Sequence, residues 1–92
     1  MLLHLGENRS VRLDRVEAVF DYHLFKSHLV NRQFLDLARS EGRLEGRRDG
    51  AQSVILSGRR VILSILSRQT LARRAGLEPV AGVLPAAGKK PS

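Results

Sequence analysis

The sequence predicts an α+β domain: a small antiparallel sheet, one amphipathic helix, a β-hairpin in the C-terminal half and a short C-terminal helix. Three observations predict it. The first 21 residues alternate apolar and polar side chains at strand period. Residues 27–40 repeat at helix period. Two apolar runs, Val54-Ile55-Leu56 and Val61-Ile62-Leu63, flank a Ser57-Gly58-Arg59-Arg60 turn.

Each element has its own signal. Leu2 to Leu5 reads as a short strand, and Gly6-Glu7-Asn8 as a turn, because glycine and asparagine accept positive φ. Ser10 to Leu13 places Val11 and Leu13 on one face and Arg12 on the other. Arg15 to Asp21 alternates again, with Val16, Ala18 and Phe20 opposing Glu17 and Val19. These pieces make a sheet of two or three strands. Ser27 is placed to cap a helix running to Ser40, with Val30, Phe34, Leu37 and Ala38 on one face and Gly42 just past its end. Residues 42–51 hold three glycines and read as a loop.

The hairpin follows, with Gly58-Arg59 as a two-residue II′ turn. Its strands are apolar at consecutive positions, so both faces need cover. The helix can take one face. The other is expected to meet a second subunit through Val54, Ile55, Leu56, Val61, Ile62 and Leu63, or else to lie under the N-terminal sheet or the last helix. Ser67 caps that last helix, Arg68 to Ala75, and Gly76 ends it. Residues 1–77 therefore form one domain, and 78–92, with three prolines, read as a disordered tail.

Charge points to a partner. The chain of 92 residues carries +7, and 13 of its 16 basic residues are arginine. Residues 1–38 hold five basic and five acidic side chains, whereas residues 39–77 hold nine arginines against Glu41, Glu45 and Asp49. High genomic GC content also enriches arginine, but it accounts for the count better than for this clustering. Arginine's planar fork fits phosphate oxygens and guanine edges. Three doublets stand out, each at the end of an element or in a loop: Arg47-Arg48, Arg59-Arg60 and Arg73-Arg74. Such positions reach phosphates readily. A solvated, solubilising surface is the plainer reading of any one doublet.

Other function classes fit poorly. There is no cysteine, which removes thiol chemistry, disulfides and Cys-ligated zinc. His4, His23 and His28 have no metal-binding i, i+4 partner, so no metal site is expected. Asp14, Glu17 and Asp21 read as surface partners of Arg12 and Arg15 rather than as an acid–base pair. The glycines of the 42–50 loop lack the Gly-Lys-Ser/Thr of a phosphate loop. The expectation is a protein without catalytic residues, cofactor or small-molecule substrate. No run approaches the roughly 20 apolar residues of a membrane span. For a DNA-binding chain the expected location is cytoplasmic, at the nucleoid. Four aromatic residues are few for stacking RNA bases.

A resemblance sharpens this reading. Met1-Leu2-Leu3-His4-Leu5-Gly6-Glu7, the Val11 strand and Val16-Glu17-Ala18-Val19-Phe20-Asp21 resemble the RemB branch of the bacterial extracellular-matrix regulators. Ser53-Val54-Ile55-Leu56 and the stretch from Leu63 to Ala75 are similar to that branch's closing pattern. The sister RemA branch activates biofilm-matrix genes, binds DNA and assembles into rings. Its DNA contact includes a Gly-Arg-Arg just before the apolar hairpin, which Gly46-Arg47-Arg48 resembles. The spacer Asp49 to Ser53 departs from the family pattern in being longer and less basic. The resemblance implies a transcriptional regulator that binds double-stranded DNA as a homo-oligomer. Arg47 and Arg48 would be the main contacts, with Arg59, Arg60, Arg73 and Arg74 as secondary ones. The alternative is a protein-interaction module that modulates a regulator without touching nucleic acid.

Overall fold

The computed structural model describes residues 1–76 and is α+β, with one two-stranded sheet, one mixed four-stranded sheet and three α-helices among them. The strands are β1 (Leu2–Gly6), β2 (Arg9–Arg12), β3 (Ala18–Asp21), β4 (Leu44–Glu45), β5 (Ser53–Ser57) and β6 (Arg60–Ser64). The helices are α1 (Tyr22–Ser27), α2 (Leu29–Ser40) and α3 (Arg68–Arg74), and a 3-10 turn covers Leu13–Arg15. The expected tail, 78–92, lies outside the described residues.

The N-terminal strands divide between the sheets. β1 and β2 pair antiparallel around Gly6, Glu7 and Asn8, all three at positive φ. The 3-10 turn then redirects the chain, and β3 pairs antiparallel with β5, not with β2. The larger sheet runs β3-β5-β6-β4, with β4 parallel to β6. The hairpin forms as expected: Ser57 faces Arg60, and Gly58 takes φ +58° as the first central residue of a two-residue turn.

Both faces of the hairpin are covered from within the chain. Ile55 and Ile62 pack with Val19 beneath Leu3, Leu5 and Val11 of the small sheet and Leu71, Ala72 and Ala75 at α3. Val54, Val61 and Leu63 pack on the opposite side against Phe25 of α1 and Leu35 and Ala38 of α2, with Leu56 half-buried beside them. The two-residue period of a strand sorts the runs onto the two layers. The expectation that Val54, Ile55, Leu56, Val61, Ile62 and Leu63 form an intersubunit face is therefore corrected: all but the half-buried Leu56 are core within the chain. The N-terminal sheet and α3 together cover the face left open in the sequence reading.

Two buried serines fasten the layers. Ser64 Oγ donates to the Leu5 carbonyl (2.7 Å) and accepts from Leu66 N–H (3.0 Å), tying β6 to β1. Ser53 Oγ donates to the Leu66 carbonyl at 2.7 Å.

The helical region differs from expectation in two ways. Asp21 accepts from the His23 N–H (2.9 Å) and so caps an additional helix, α1. Ser27 is the last residue of α1 and donates back to the His23 carbonyl, so it does not cap α2. The buried side of α2 is also rotated. Leu35 and Ala38 are buried, Phe34 is half-buried, and Val30 and Leu37 are exposed. The termini follow the sequence closely. Gly42 N–H bonds the Arg39 carbonyl and Arg43 N–H the Ala38 carbonyl, a Schellman closure with glycine at φ +73°. Ser67 accepts from Thr70 N–H at 3.1 Å at the start of α3.

Candidate nucleic-acid interface

The Arg47-Arg48 doublet is mounted on β6 by Gly46. That glycine has φ +88°, and a Cβ built there would fall inside contact distance of the Leu63 carbonyl oxygen, 3.2 Å from its carbon and 3.3 Å from Leu63 Cβ. Only a residue without a side chain lets the strand pass this close. Arg47 follows with its side chain exposed. Arg48 is half-buried. Its Nη2 donates to Asp36 Oδ1 of α2 at 2.8 Å, while its Nε is buried without a hydrogen-bond partner. Past it the loop is stapled down. Ala51 N–H bonds the Arg48 carbonyl, Gln52 N–H the Ser64 carbonyl (2.7 Å), and Tyr22 N–H the Gln52 carbonyl (3.0 Å).

These bonds build one wall of an open cleft of about 710 Å³, lined on its other sides by α1 and the start of α3. Arg48, Lys26 and Arg68 line it together with Asp21 and Asp49. Lys26 and Arg68 are single cations far apart in sequence. Doublet reading passes over them, and only the meeting of three elements brings them beside Arg48.

The second doublet sits at the other end of the hairpin and splits in role. Arg60 grips Glu45 through two bonds, Nε to Oε2 (2.8 Å) and Nη2 to Oε1 (2.9 Å), and also donates to the Ser10 carbonyl (3.3 Å). The guanidinium hydrogen bond holds the Glu45 carboxyl below the usual carboxylate range and pushes Arg60 further up. Arg60 thus fastens β6 to β4 and β2. The Arg59 side chain is exposed, and its carbonyl accepts from Arg43 Nη1 at 2.9 Å. Around this end lies a second cleft, of about 630 Å³, where Arg12 and Arg15 join Arg59 and Arg60. Arg12 is held by Asp14 in the expected surface pair, at 2.9 Å, and its hydrogen bond lowers the Asp14 pKa. Asp21 is not such a partner, being taken up as the α1 cap. The third doublet, Arg73-Arg74, is exposed at the end of α3 and lines neither cleft. Among the described residues no group of three or more His, Asp or Glu is arranged to hold a metal ion, and no helix is long and apolar enough to cross a membrane.

A family model described as RemA-like, extracellular matrix regulatory protein A-like, matches residues 2–75. The chain belongs to that family. The match takes in every strand and helix from β1 to α3, the Gly46-Arg47-Arg48 loop included. It is a match to the RemA-like family as a whole, a family of matrix regulators, and not to the RemB branch in particular. A comparison with curated proteins finds no match.

Proposed function

We propose that this RemA-like chain is a non-enzymatic regulator of transcription that binds double-stranded DNA as a homo-oligomer, with Arg47 and Arg48 as its main phosphate contacts. The observation that carries the reading is the mounting of the doublet. Gly46 fixes the loop against β6, so the backbone that carries Arg47 is already ordered before binding. The family's regulatory role and the excess of arginine in the second half of the chain support it. Arg59, Arg73 and Arg74 are secondary contacts in this reading. Arg60 is committed by two bonds to Glu45 and one to the Ser10 carbonyl, whereas Arg48 gives a single bond to Asp36 and keeps donors for phosphate. Repetition of the doublet in an oligomer raises avidity by about 10²–10⁴ without new contacts.

One observation favours the interaction-module reading. Leu24, Leu29, Val30 and Leu37 are exposed on α1 and α2, where a macromolecular partner or another copy of the chain could cover them. A salt titration with duplex DNA separates the two. DNA binding requires log K to fall with log salt by about 0.9 per phosphate neutralised. Replacing Arg47 and Arg48 by alanine flattens that slope by about one unit per lost contact. A wild-type chain that ignores duplex DNA at ~50 mM salt, where electrostatic binding is strong, hands the reading to the interaction module. Light scattering on the same sample tests self-association, which a mass of 10.2 kDa would refute.

A further inference from the structure

We propose that the cleft between α1, the Arg48–Gln52 loop and the start of α3 is a phosphate-binding site. Lys26, Arg48 and Arg68 are its cationic groups. The proposal rests on the DNA-binding reading only through Arg48, and it adds two residues from other elements.

Three features carry it. First, the cations come from three separate elements and line one concavity, and its volume, about 710 Å³, falls in the range of small-ligand sites. Second, the walls are tied together by backbone. Gln52 bonds both Tyr22 and Ser64, and Ser53 Oγ bonds Leu66, next to the Ser67 cap. The cations therefore sit on a frame already assembled before any ligand arrives. Third, Arg48 offers one face of its fork to Asp36 and leaves Nε buried and unpaired. Beyond the single bond to Asp36 the guanidinium keeps further N–H donors on the cleft lining, and phosphate has oxygens enough to share with the neighbouring cations. Of the two carboxylates on the cleft wall, Asp21 is engaged by the His23 N–H, while Asp49 is exposed. Ser67, Gln69 and Gln52 add neutral polar groups to the lining.

The ligand chemistry is a phosphate group, supplied either by a DNA backbone or by a free phosphorylated compound. The test uses the full chain at ~50 mM salt, where such contacts are strong. Inorganic pyrophosphate is titrated while the Arg48 Nε–H resonance is followed by NMR, and duplex DNA is titrated in a second arm. The expected result is a saturable shift of that resonance with pyrophosphate, weakened at least about tenfold in Lys26→Gln/Arg68→Gln by loss of two charge-assisted contacts. If DNA is the source, the double variant also flattens the DNA salt slope by about two units. If a free phosphorylated compound is the source, the DNA slope stays as in wild type. Lys26 is exposed, so Lys26→Gln alone reports on the site should the Arg68 replacement unfold the chain. No saturable shift with pyrophosphate, or a shift that neither variant weakens, overturns the site. A wild type that binds pyrophosphate but ignores DNA keeps the site and overturns the DNA reading instead.

Discussion

Replacing Gly46 by alanine should cost far more than the same change at other glycines of positive φ, and the structure provides the controls. Gly46, Gly50 and Gly58 have φ +88°, +80° and +58°. Alanine pays about 1 kcal/mol for that backbone conformation at any of the three. At Gly50 and Gly58 nothing lies within 4 Å of the added Cβ, so the cost ends there. At Gly46 the Cβ meets the Leu63 carbonyl, a backbone group of β6 that cannot rotate aside. Relief requires β4 to withdraw from β6. That loosens the pairing of Leu44 with Val61 and Glu45 with Ile62, together with the Val61 N–H to Arg43 carbonyl bond at 3.1 Å. Two or three backbone bonds at about 1 kcal/mol each bring the total to about 3–4 kcal/mol. For a domain this small, 1 kcal/mol moves Tm by about 4–8 °C, so Gly46→Ala should melt more than about 10 °C below Gly50→Ala and Gly58→Ala. Thermal denaturation followed by circular dichroism measures this. Three variants melting within about 2 °C of one another, less than the shift from 1 kcal/mol, would refute the close approach and with it the rigid mounting of Arg47 and Arg48.

Three further outcomes follow from named contacts. Glu45 titrates below its ordinary range because Arg60 bonds it. A depressed carboxylate stabilises the fold above its unfolded pKa of about 4.3 and loses that contribution as pH falls through the folded value. With the side chains 32% and 42% exposed, screening limits the contribution to under about 1 kcal/mol. Glu45→Gln should therefore remove an acid-dependent loss of stability below about pH 4.3, and identical urea midpoints for variant and wild type across pH 3–6 would exclude the contact. Leu35→Ala should cost about 2–5 kcal/mol, whereas Val30→Ala should stay within about 0.5 kcal/mol in dilute monomer, a contrast that chemical denaturation reads directly. Asp36 occupies Arg48 as an internal anion, so Asp36→Asn should tighten pyrophosphate and DNA binding by a few-fold; weaker binding would mean that Asp36 orients Arg48 and does not compete for it.

The hairpin, the α3 caps and the Gly42 closure were legible because each depends on a few neighbouring residues. Gly58-Arg59 dictates a two-residue turn, Ser67 bonds an amide three positions on, and Gly42 accepts the left-handed backbone that ends α2. The rotated face of α2 was not legible. Val30, Phe34, Leu37 and Ala38 make a periodic stripe, and so do Asn31, Phe34, Leu35 and Ala38. Periodicity alone does not choose between two stripes that share residues. The choice falls to α1, which places Phe25 against Phe34 with ring centroids 6.1 Å apart, and Asn31, whose side chain bonds the Leu24 carbonyl.

The sequence by itself determined the fold class, the hairpin, the helix ends and the arginine-rich second half, since local backbone chemistry and composition are carried by adjacent residues. Tertiary structure decided that the apolar hairpin is a covered core, because its cover comes from β1, β2 and α3, more than forty positions away on one side and several past it on the other. It also decided which arginines are spoken for. Glu45 captures Arg60 from 15 residues away and Asp36 bonds Arg48 from 12. The fold also gathers Lys26, Arg48 and Arg68 on the lining of one cleft. Charge acts through space, and a linear sequence does not contain those distances.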